Sequence, residues 1–322
     1  MIARLVALSF VLLCLTACTG ERSPQLTGDL VAHDPAIVVG GNGDPWFVYS
    51  TGGAQADGAI QVRRSVDGVH WEYAGVMWKQ RPAWITDSIR GVGPLWAPEL
   101  VQHDGVWYLY YAASTFGSNH SAIGLATNTT LDPADPEYEW VDEGPVLESE
   151  TSDDFNAIDP AIVVDAKGTP WMAFGSFWSG IRMVRLEWPS GLRADAKEPL
   201  RLADRGVPPN AIEAASIVEH DGDYFMFVSL DSCCKGVSST YKVAVGRADA
   251  VTGPYLDRDG TPMLNGGGTV LLATKGSRIG PGGESASNGY LAYHYYDGDA
   301  AGATRLAISR IDWDADGWPL VD

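Results

Sequence analysis

The chain has 322 residues, 45% hydrophobic and 20% charged, with 37 glycines and 12 tryptophans. That is enough apolar material for a large packed core and excludes a disordered chain. A formal net charge of -19 without any Lys/Arg cluster excludes a partner recognised through its phosphate backbone; the acidity reads as a solvated surface that keeps the chain soluble.

The first segment stands apart from the fold. Arg4 precedes the apolar run Leu5 to Leu15, which is too short to span a bilayer and has the form of a signal-peptide core. Residues 1–17 are therefore expected to be a leader and 18–29 a tether, with a single domain over 30–322, because no Pro/Ser-rich or charged linker divides the remainder. No later run is apolar for long enough to cross a membrane.

Two of the four cysteines, Cys14 and Cys18, fall in this leader region, which leaves Cys233 and Cys234 side by side. Adjacent cysteines cannot staple distant loops. They are either two free thiols or a vicinal disulfide; no Cys or His pair has zinc-finger spacing.

One unit recurs along the chain: an apolar strand, a polar glycine turn, an aromatic strand, and a third strand some ten to twenty residues later. The turn and aromatic strand appear as Asn42-Gly43-Asp44-Pro45-Trp46-Phe47 and as Asp104-Gly105-Val106-Trp107-Tyr108. They return as Lys167-Gly168-Thr169-Pro170-Trp171, as Asp221-Gly222-Asp223-Tyr224-Phe225 and as Asn288-Gly289-Tyr290-Leu291. Copies recur about every sixty residues, the length of one four-stranded blade with its loops.

First strands are expected at Ala36 to Val39, Leu100 to Gln102, Ala161 to Val164 and Ser216 to Glu219. Third strands are expected at Ile60 to Arg64, Ala122 to Ala126, Ile181 to Leu186, Tyr241 to Gly246 and Thr304 to Ser309. No stretch carries a long, capped helical period, so the fold class is all-β, a five-bladed β-propeller. Most tryptophans are then wedge packing between twisted blades.

In a propeller the innermost strands line the axis and substrate enters at its mouth. Asp34 opens the first inner strand in His33-Asp34-Pro35-Ala36-Ile37, and Asp159 the third in Ile158-Asp159-Pro160-Ala161-Ile162. Glu213 takes the corresponding place in the fourth, within Ile212-Glu213-Ala214-Ala215-Ser216. Three carboxylates converging on one rim repel and raise one another's pKa, an arrangement suited to acid/base chemistry. A paired general acid and general base is what cleavage of a glycosidic bond requires. Glu99, the acid of the second blade, is displaced towards the strand interior and reads as structural.

From about Ala32 to Tyr296 the chain resembles the endo-arabinanases of glycoside hydrolase family 43. The likeness rests on His33-Asp34-Pro35, Leu95-Trp96-Ala97-Pro98-Glu99, Ser114-Thr115-Phe116-Gly117 and Asn156-Ala157-Ile158-Asp159-Pro160. It continues through Phe174-Gly175-Ser176-Phe177-Trp178-Ser179-Gly180, Cys233-Cys234-Lys235-Gly236 and Gly266-Gly267-Gly268-Thr269.

The resemblance implies inverting hydrolysis of α-1,5-linked arabinan or arabino-oligosaccharides, with Asp34 as base, Glu213 as acid and Asp159 as the third acid that holds Glu213 in place and keeps it protonated. It puts Trp96, Phe116 and Trp178 at the sugar groove, with Asn156, Ser176 and His33 as polar neighbours. It also implies a hydrated calcium ion at His294, where a core histidine with a hydrogen-bond partner is the alternative. Leu15-Thr16-Ala17-Cys18 resembles the bacterial lipobox, which would leave lipid on Cys18 as the sole membrane contact of a monomer, at the cell envelope or secreted; a signal peptide with an incidental cysteine is the alternative.

The chain departs from the family where Gly280-Pro281-Gly282-Gly283 stands in place of the usual Gly-Pro-Gly-His. An arabinofuranosidase or xylosidase on the same fold, and a sugar-binding surface lipoprotein without turnover, are the competing functions.

Overall fold

The computed structural model describes residues 25–322 apart from 42, 54 and 55. The expected leader, Cys18 and the first part of the tether lie outside the described residues.

Five sheets follow one another along the chain. Blade one comprises β1 (Thr27–Gly28), β2 (Ala36–Val38), β3 (Trp46–Ser50), β4 (Gln61–Ser65) and β5 (His70–Val76). A short helix, α1 (Ala83–Ser88), leads to blade two: β6 (Trp96–His103), β7 (Val106–Ala113), β8 (Ser121–Asn128) and β9 (Val141–Ser149). Blade three holds β10 (Ala161–Val164), β11 (Pro170–Phe174), β12 (Ile181–Arg185) and β13 (Leu200–Ala203). Blade four holds β14 (Ile212–His220), β15 (Asp223–Leu230), β16 (Lys242–Ala248) and β17 (Thr269–Leu272). Blade five is a three-stranded sheet of β18 (Arg278–Ser287), β19 (Tyr290–Asp297) and β20 (Ala303–Arg310), followed by the hairpin β21 (Asp312–Trp313) and β22 (Pro319–Leu320).

Within each blade the strands pair antiparallel in chain order, inner strand first; the exception is β1, which adds to β5 in parallel at the outer edge of blade one. The expected strands all form, and the inner strands of blades two and four extend further towards the axis than their apolar runs suggest.

Five apolar clusters hold the wheel together, one in each gap between neighbouring blades. Tyr49 and Tyr111 fill the first gap, Tyr110 and Phe174 the second, Met183 and Met226 the third, and Phe227 and Tyr293 the fourth. The fifth gap, where blade five meets blade one, is closed by Val48, Trp71, Ala292 and Leu306, with Leu26 and Leu30 packed on the same cluster. The Leu306 N–H donates to the Leu30 carbonyl at 2.7 Å. Among the described residues the ring therefore closes by packing and one segment laid across the gap, with no strand shared between the two ends, and ordered pairing begins at Thr27, ahead of the expected start at residue 30.

The inner rim repeats a backbone feature five times. Asp34 (φ 47°), Ala97 (φ 41°), Asp159 (φ 56°), Ala214 (φ 52°) and Gly283 (φ 60°) each adopt a left-handed conformation at the axial end of their blade. An aspartate tolerates this region; an alanine does so only when its surroundings hold it there. In blades two, four and five the pairing of the inner strand also shifts register at this point. The side chains just before the kinks of blades one to four, His33, Trp96, Ile158 and Glu213, line the mouth of the channel.

Candidate active site

The five kinks set the phase of the site. Asp159 is the true counterpart of Asp34, whereas the counterpart in blade four is Ala214, so the expectation that Glu213 occupies the matching place is off by one residue. Glu213 corresponds to His33 and Trp96, the residues before the kink. It reaches the same cleft from one position earlier because Ala214, not the acid, takes the left-handed turn.

A cleft of about 790 Å³ opens at this end of the axis. Asp34, Asp159 and Glu213 all line it, as do the expected sugar contacts His33, Trp96, Phe116, Asn156, Ser176 and Trp178. Phe116 stands 86% exposed at its edge and Trp178 39%. Phe177 (φ 54°) and Trp178 (φ 34°) are consecutive left-handed residues, costly for aromatics. They are held by hydrogen bonds from the Phe177 N–H to the Ile212 carbonyl at 3.0 Å and from Asn210 Nδ2 to the Trp178 carbonyl at 2.8 Å.

Asp34 sits in a donor-rich corner. Thr51 Oγ1 donates to its Oδ2 at 2.6 Å, and His33 Nδ1 lies 2.8 Å from the same oxygen. Burial alone would push this carboxyl up, but the charge and hydrogen bonding of His33, then His294 and Thr51, outweigh it and hold Asp34 well below the usual carboxylate range. The converse applies to His33, which burial lowers and Asp34 raises, with a net upward shift.

Glu213 and Asp159 behave in the opposite way. Burial, the largest cause for each, raises both; the charge of Glu213 pushes Asp159 up further, and that of Asp34 raises Glu213. Glu213 accepts from Ser176 Oγ at 2.5 Å and from the Tyr241 hydroxyl. Hydroxyls can donate to a carboxylate and accept from a carboxylic acid, so this pair of partners suits a group that gains and loses a proton. One carboxyl kept charged faces two that resist ionisation, the division required of a base and an acid working side by side.

Two expected sugar contacts are committed elsewhere. Ser176 serves Glu213, and His33 serves Asp34 while stacking on His294 at 3.8 Å between ring centroids. Asn156 is partly committed as well, since its Oδ1 accepts from Ser121 Oγ at 2.7 Å. Thr51, Tyr241, Glu284 and Tyr296 were missed because each lies in or beside a strand whose sequence shows only the β pattern.

Beneath the acids a void of about 20 Å³ is lined by Asp34, Glu99, Asp159 and Glu284 among others. Burial pushes the carboxyls of both Glu99 and Glu284 up to about 8. Glu284 accepts from Ser229 Oγ at 2.6 Å. At Gly283, the point of departure from Gly-Pro-Gly-His, φ is 60° and a Cβ would stand 2.5 Å from Asp34 Oδ1 and 2.8 Å from the His294 ring, so this backbone has no room for a side chain.

His294 lies on β19, the second strand of its blade, and is fully buried. Its Nδ1 accepts the backbone N–H of Asp34 at 3.1 Å, and its Nε2 faces the Tyr296 hydroxyl at 3.4 Å. Calcium takes six to eight oxygens, whereas the donors here are two imidazoles and one carboxylate, those of His33, His294 and Asp34. The lone pair of His294 Nδ1 is already used by the Asp34 N–H. These three side chains do not by themselves make the oxygen shell that calcium takes, and the role the His294 nitrogens fit is that of a buried histidine aligning the Asp34 backbone.

Among the described residues no helix is long and apolar enough to cross a membrane. Cys233 and Cys234 form a vicinal disulfide on the cleft wall.

Sequence and structure comparisons agree with this architecture. The chain is 37% identical to the extracellular endo-α-(1→5)-L-arabinanase 1 of Bacillus subtilis, covering 97% of this chain and 94% of the relative. It is 38% identical to the extracellular exo-α-(1→5)-L-arabinofuranosidase ArbA of Cellvibrio japonicus, covering 98% and 91%. The solved endo-arabinanase of Bacillus licheniformis superposes with a TM-score of 0.86 at 40% identity over 92% of this chain and 99% of that one. Glycosyl hydrolases family 43 matches residues 23–319, so the blades, the rim and the acid-lined cleft all fall within the match, and the chain belongs to that family.

Proposed function

We propose that the protein hydrolyses α-1,5-L-arabinofuranosidic bonds in arabinan with inversion at the anomeric carbon. The observation that carries this reading is the split in charge state across one cleft, with Asp34 held ionised and Glu213 held towards its neutral form. Asp34 takes a proton from water as the water attacks the anomeric carbon. Glu213 delivers a proton to the departing oxygen as the glycosidic bond breaks. Asp159 anchors the backbone beside Glu213 through the Ala214 N–H. Trp96, Phe116 and Trp178 offer faces on which furanose rings stack.

Support for the substrate comes from the arabinan-cleaving relatives, one endo-acting and one exo-acting at nearly equal identity. Reducing-sugar release from debranched arabinan, with product lengths read by chromatography, tests the activity and separates the two modes. Proton NMR of fresh product tests the stereochemistry: the inverted anomer is expected first, and prompt appearance of the retained anomer would reject Asp34 as base. Binding of arabino-oligosaccharides without turnover would favour a sugar-binding protein instead.

The protein acts outside the cytoplasm in this reading, as the names of both relatives state for them. The lipobox-like run ending at Cys18 supports attachment to a membrane through lipid alone, with secretion as the alternative. Metabolic labelling with palmitate checks this: incorporation that persists in Cys18→Ser excludes the anchor.

A further inference from the structure

The vicinal disulfide lies beside the acid machinery but makes no hydrogen bond to the three acids. Its backbone connects to them through one phenol, and Cys234 Sγ approaches His33 directly. The Cys234 N–H donates to the Tyr296 hydroxyl at 2.7 Å, and that hydroxyl lies 3.1 Å from His33 Nε2 and 3.4 Å from His294 Nε2. Cys234 Sγ itself stands 3.7 Å from His33 Nε2.

The partners fix the direction of these bonds. His294 Nδ1 accepts from the Asp34 N–H, so in the neutral ring the hydrogen sits on Nε2 and points at Tyr296. Two donors, Cys234 N–H and His294 Nε2–H, then occupy both lone pairs of the phenol oxygen. With His33 neutral, the phenol's own hydrogen goes to His33 Nε2, which leaves the His33 hydrogen on Nδ1, facing Asp34 Oδ2 at 2.8 Å. In that state every polar atom from the Cys234 N–H to His33 Nε2 has a partner, and His33 Nδ1 lies in ion-pair range of Asp34.

We infer that Cys233–Cys234 and Tyr296 are positioning residues for Asp34. Closing adjacent cysteines into an eight-membered ring restricts the peptide between them, and the Cys234 N–H is thereby held as a fixed donor. Tyr296 passes that constraint to His33, and His33 sets the orientation of the Asp34 carboxylate. Cα of Cys234 is itself left-handed (φ 67°), a conformation that an open-chain cysteine seldom keeps. The inference rests on the reading of Asp34 as the base.

The test is a redox cycle crossed with one substitution. Excess dithiothreitol donates two electrons and two protons: the S–S bond breaks, two thiols form, and the reagent becomes its own cyclic disulfide. Alkylation and mass measurement count the thiols before and after. In the wild type, reduction should lower kcat on debranched arabinan about tenfold, within the hundredfold that a misplacement of about 1 Å can cost. KM should change less than kcat, the melting temperature should show the protein still folded, and reoxidation should restore the rate.

In Tyr296→Phe, which lacks the connecting hydroxyl, the same reduction should cost less than about twofold, because the two changes break one chain and so fail to add. Cys233→Ser/Cys234→Ser should reproduce the reduced wild type without reductant. Two free thiols in the untreated protein, an unchanged kcat after complete reduction, or equal losses in wild type and Tyr296→Phe would each overturn the inference. Asp34→Ala separates this from the reading beneath it: if that variant is inactive while reduction has no effect, only the positioning role fails, and if it retains activity the assignment of the base fails.

Discussion

Asp159 Oδ2 accepts the backbone N–H of Ala214 at 3.2 Å, so the acid of blade three holds the left-handed residue that follows Glu213 in blade four. The bond crosses the gap between two blades and fixes the point from which Glu213 projects. A residue that acts on its neighbour's placement should affect turnover more than binding.

Asp159→Ala is therefore expected to lower kcat on arabinan by about two to three orders of magnitude, the range typical of general acid catalysis, with a much smaller change in KM. Steady-state kinetics checks this. A rise in KM with kcat preserved would make Asp159 a binding residue.

The pH profile follows from the opposed shifts. Activity needs Asp34 charged and Glu213 protonated. Since Asp34 is held low, the acid limb should fall below the ordinary carboxylate range; since burial raises Glu213, the alkaline limb should lie above that group's ordinary value of 4.5. The Tyr241 hydroxyl donates to Glu213 and favours its charged form. Tyr241→Phe should accordingly move the alkaline limb of kcat/KM to higher pH, and movement to lower pH would contradict the assignment.

Stability should carry its own pH signature. Glu99 and Glu284 titrate at about 8 in the folded protein, above the 4.5 of a free glutamate. Between those values the folded state binds more protons than the unfolded one. Their contribution is therefore complete below about 4.5 and is lost as pH rises through about 8. The melting temperature should fall over that window, and Glu99→Gln, which keeps the acceptor for the Ile162 N–H, should flatten part of the fall. An equally steep decline in the variant would remove Glu99 from the account.

Phe116 is too exposed to matter to the core. Phe116→Ala should leave the melting temperature unchanged and raise KM for polymer severalfold at near-constant kcat. Loss of stability instead would mean that the ring packs rather than binds.

Chelation addresses the metal expectation. Exhaustive EDTA treatment should change neither activity nor melting temperature, given how the His294 nitrogens are used. A drop in either that calcium restores would contradict that prediction.

Much of the fold is legible in the sequence because it repeats. The Gly turns before Trp46, Trp107, Trp171, Tyr224 and Tyr290 force hairpins, and aromatic alternation marks the strands that wedge between blades. Asp34 and Asp159 are legible because both carry the same Asp-Pro step into an apolar strand. The phase of blade four is not, since nothing in Ala214 advertises a left-handed backbone; that conformation is imposed by the rim and by Asp159. The commitments of His33 and Ser176 are equally invisible, because their partners Asp34 and Glu213 differ in kind: one partner is adjacent in sequence and the other lies a blade away. Cys233 and Cys234 leave two states open on paper, and the structure joins them.

The division of labour between the acids is tested most directly by leaving-group dependence. Glu213→Ala and Asp34→Ala should each lose at least about three orders of magnitude in kcat on arabinan, while on a dinitrophenyl arabino-oligosaccharide, whose leaving group needs no proton, Glu213→Ala alone should recover most of its rate. Recovery by Asp34→Ala instead, or by neither or both, would contradict the assignment of Glu213 as the acid and Asp34 as the base.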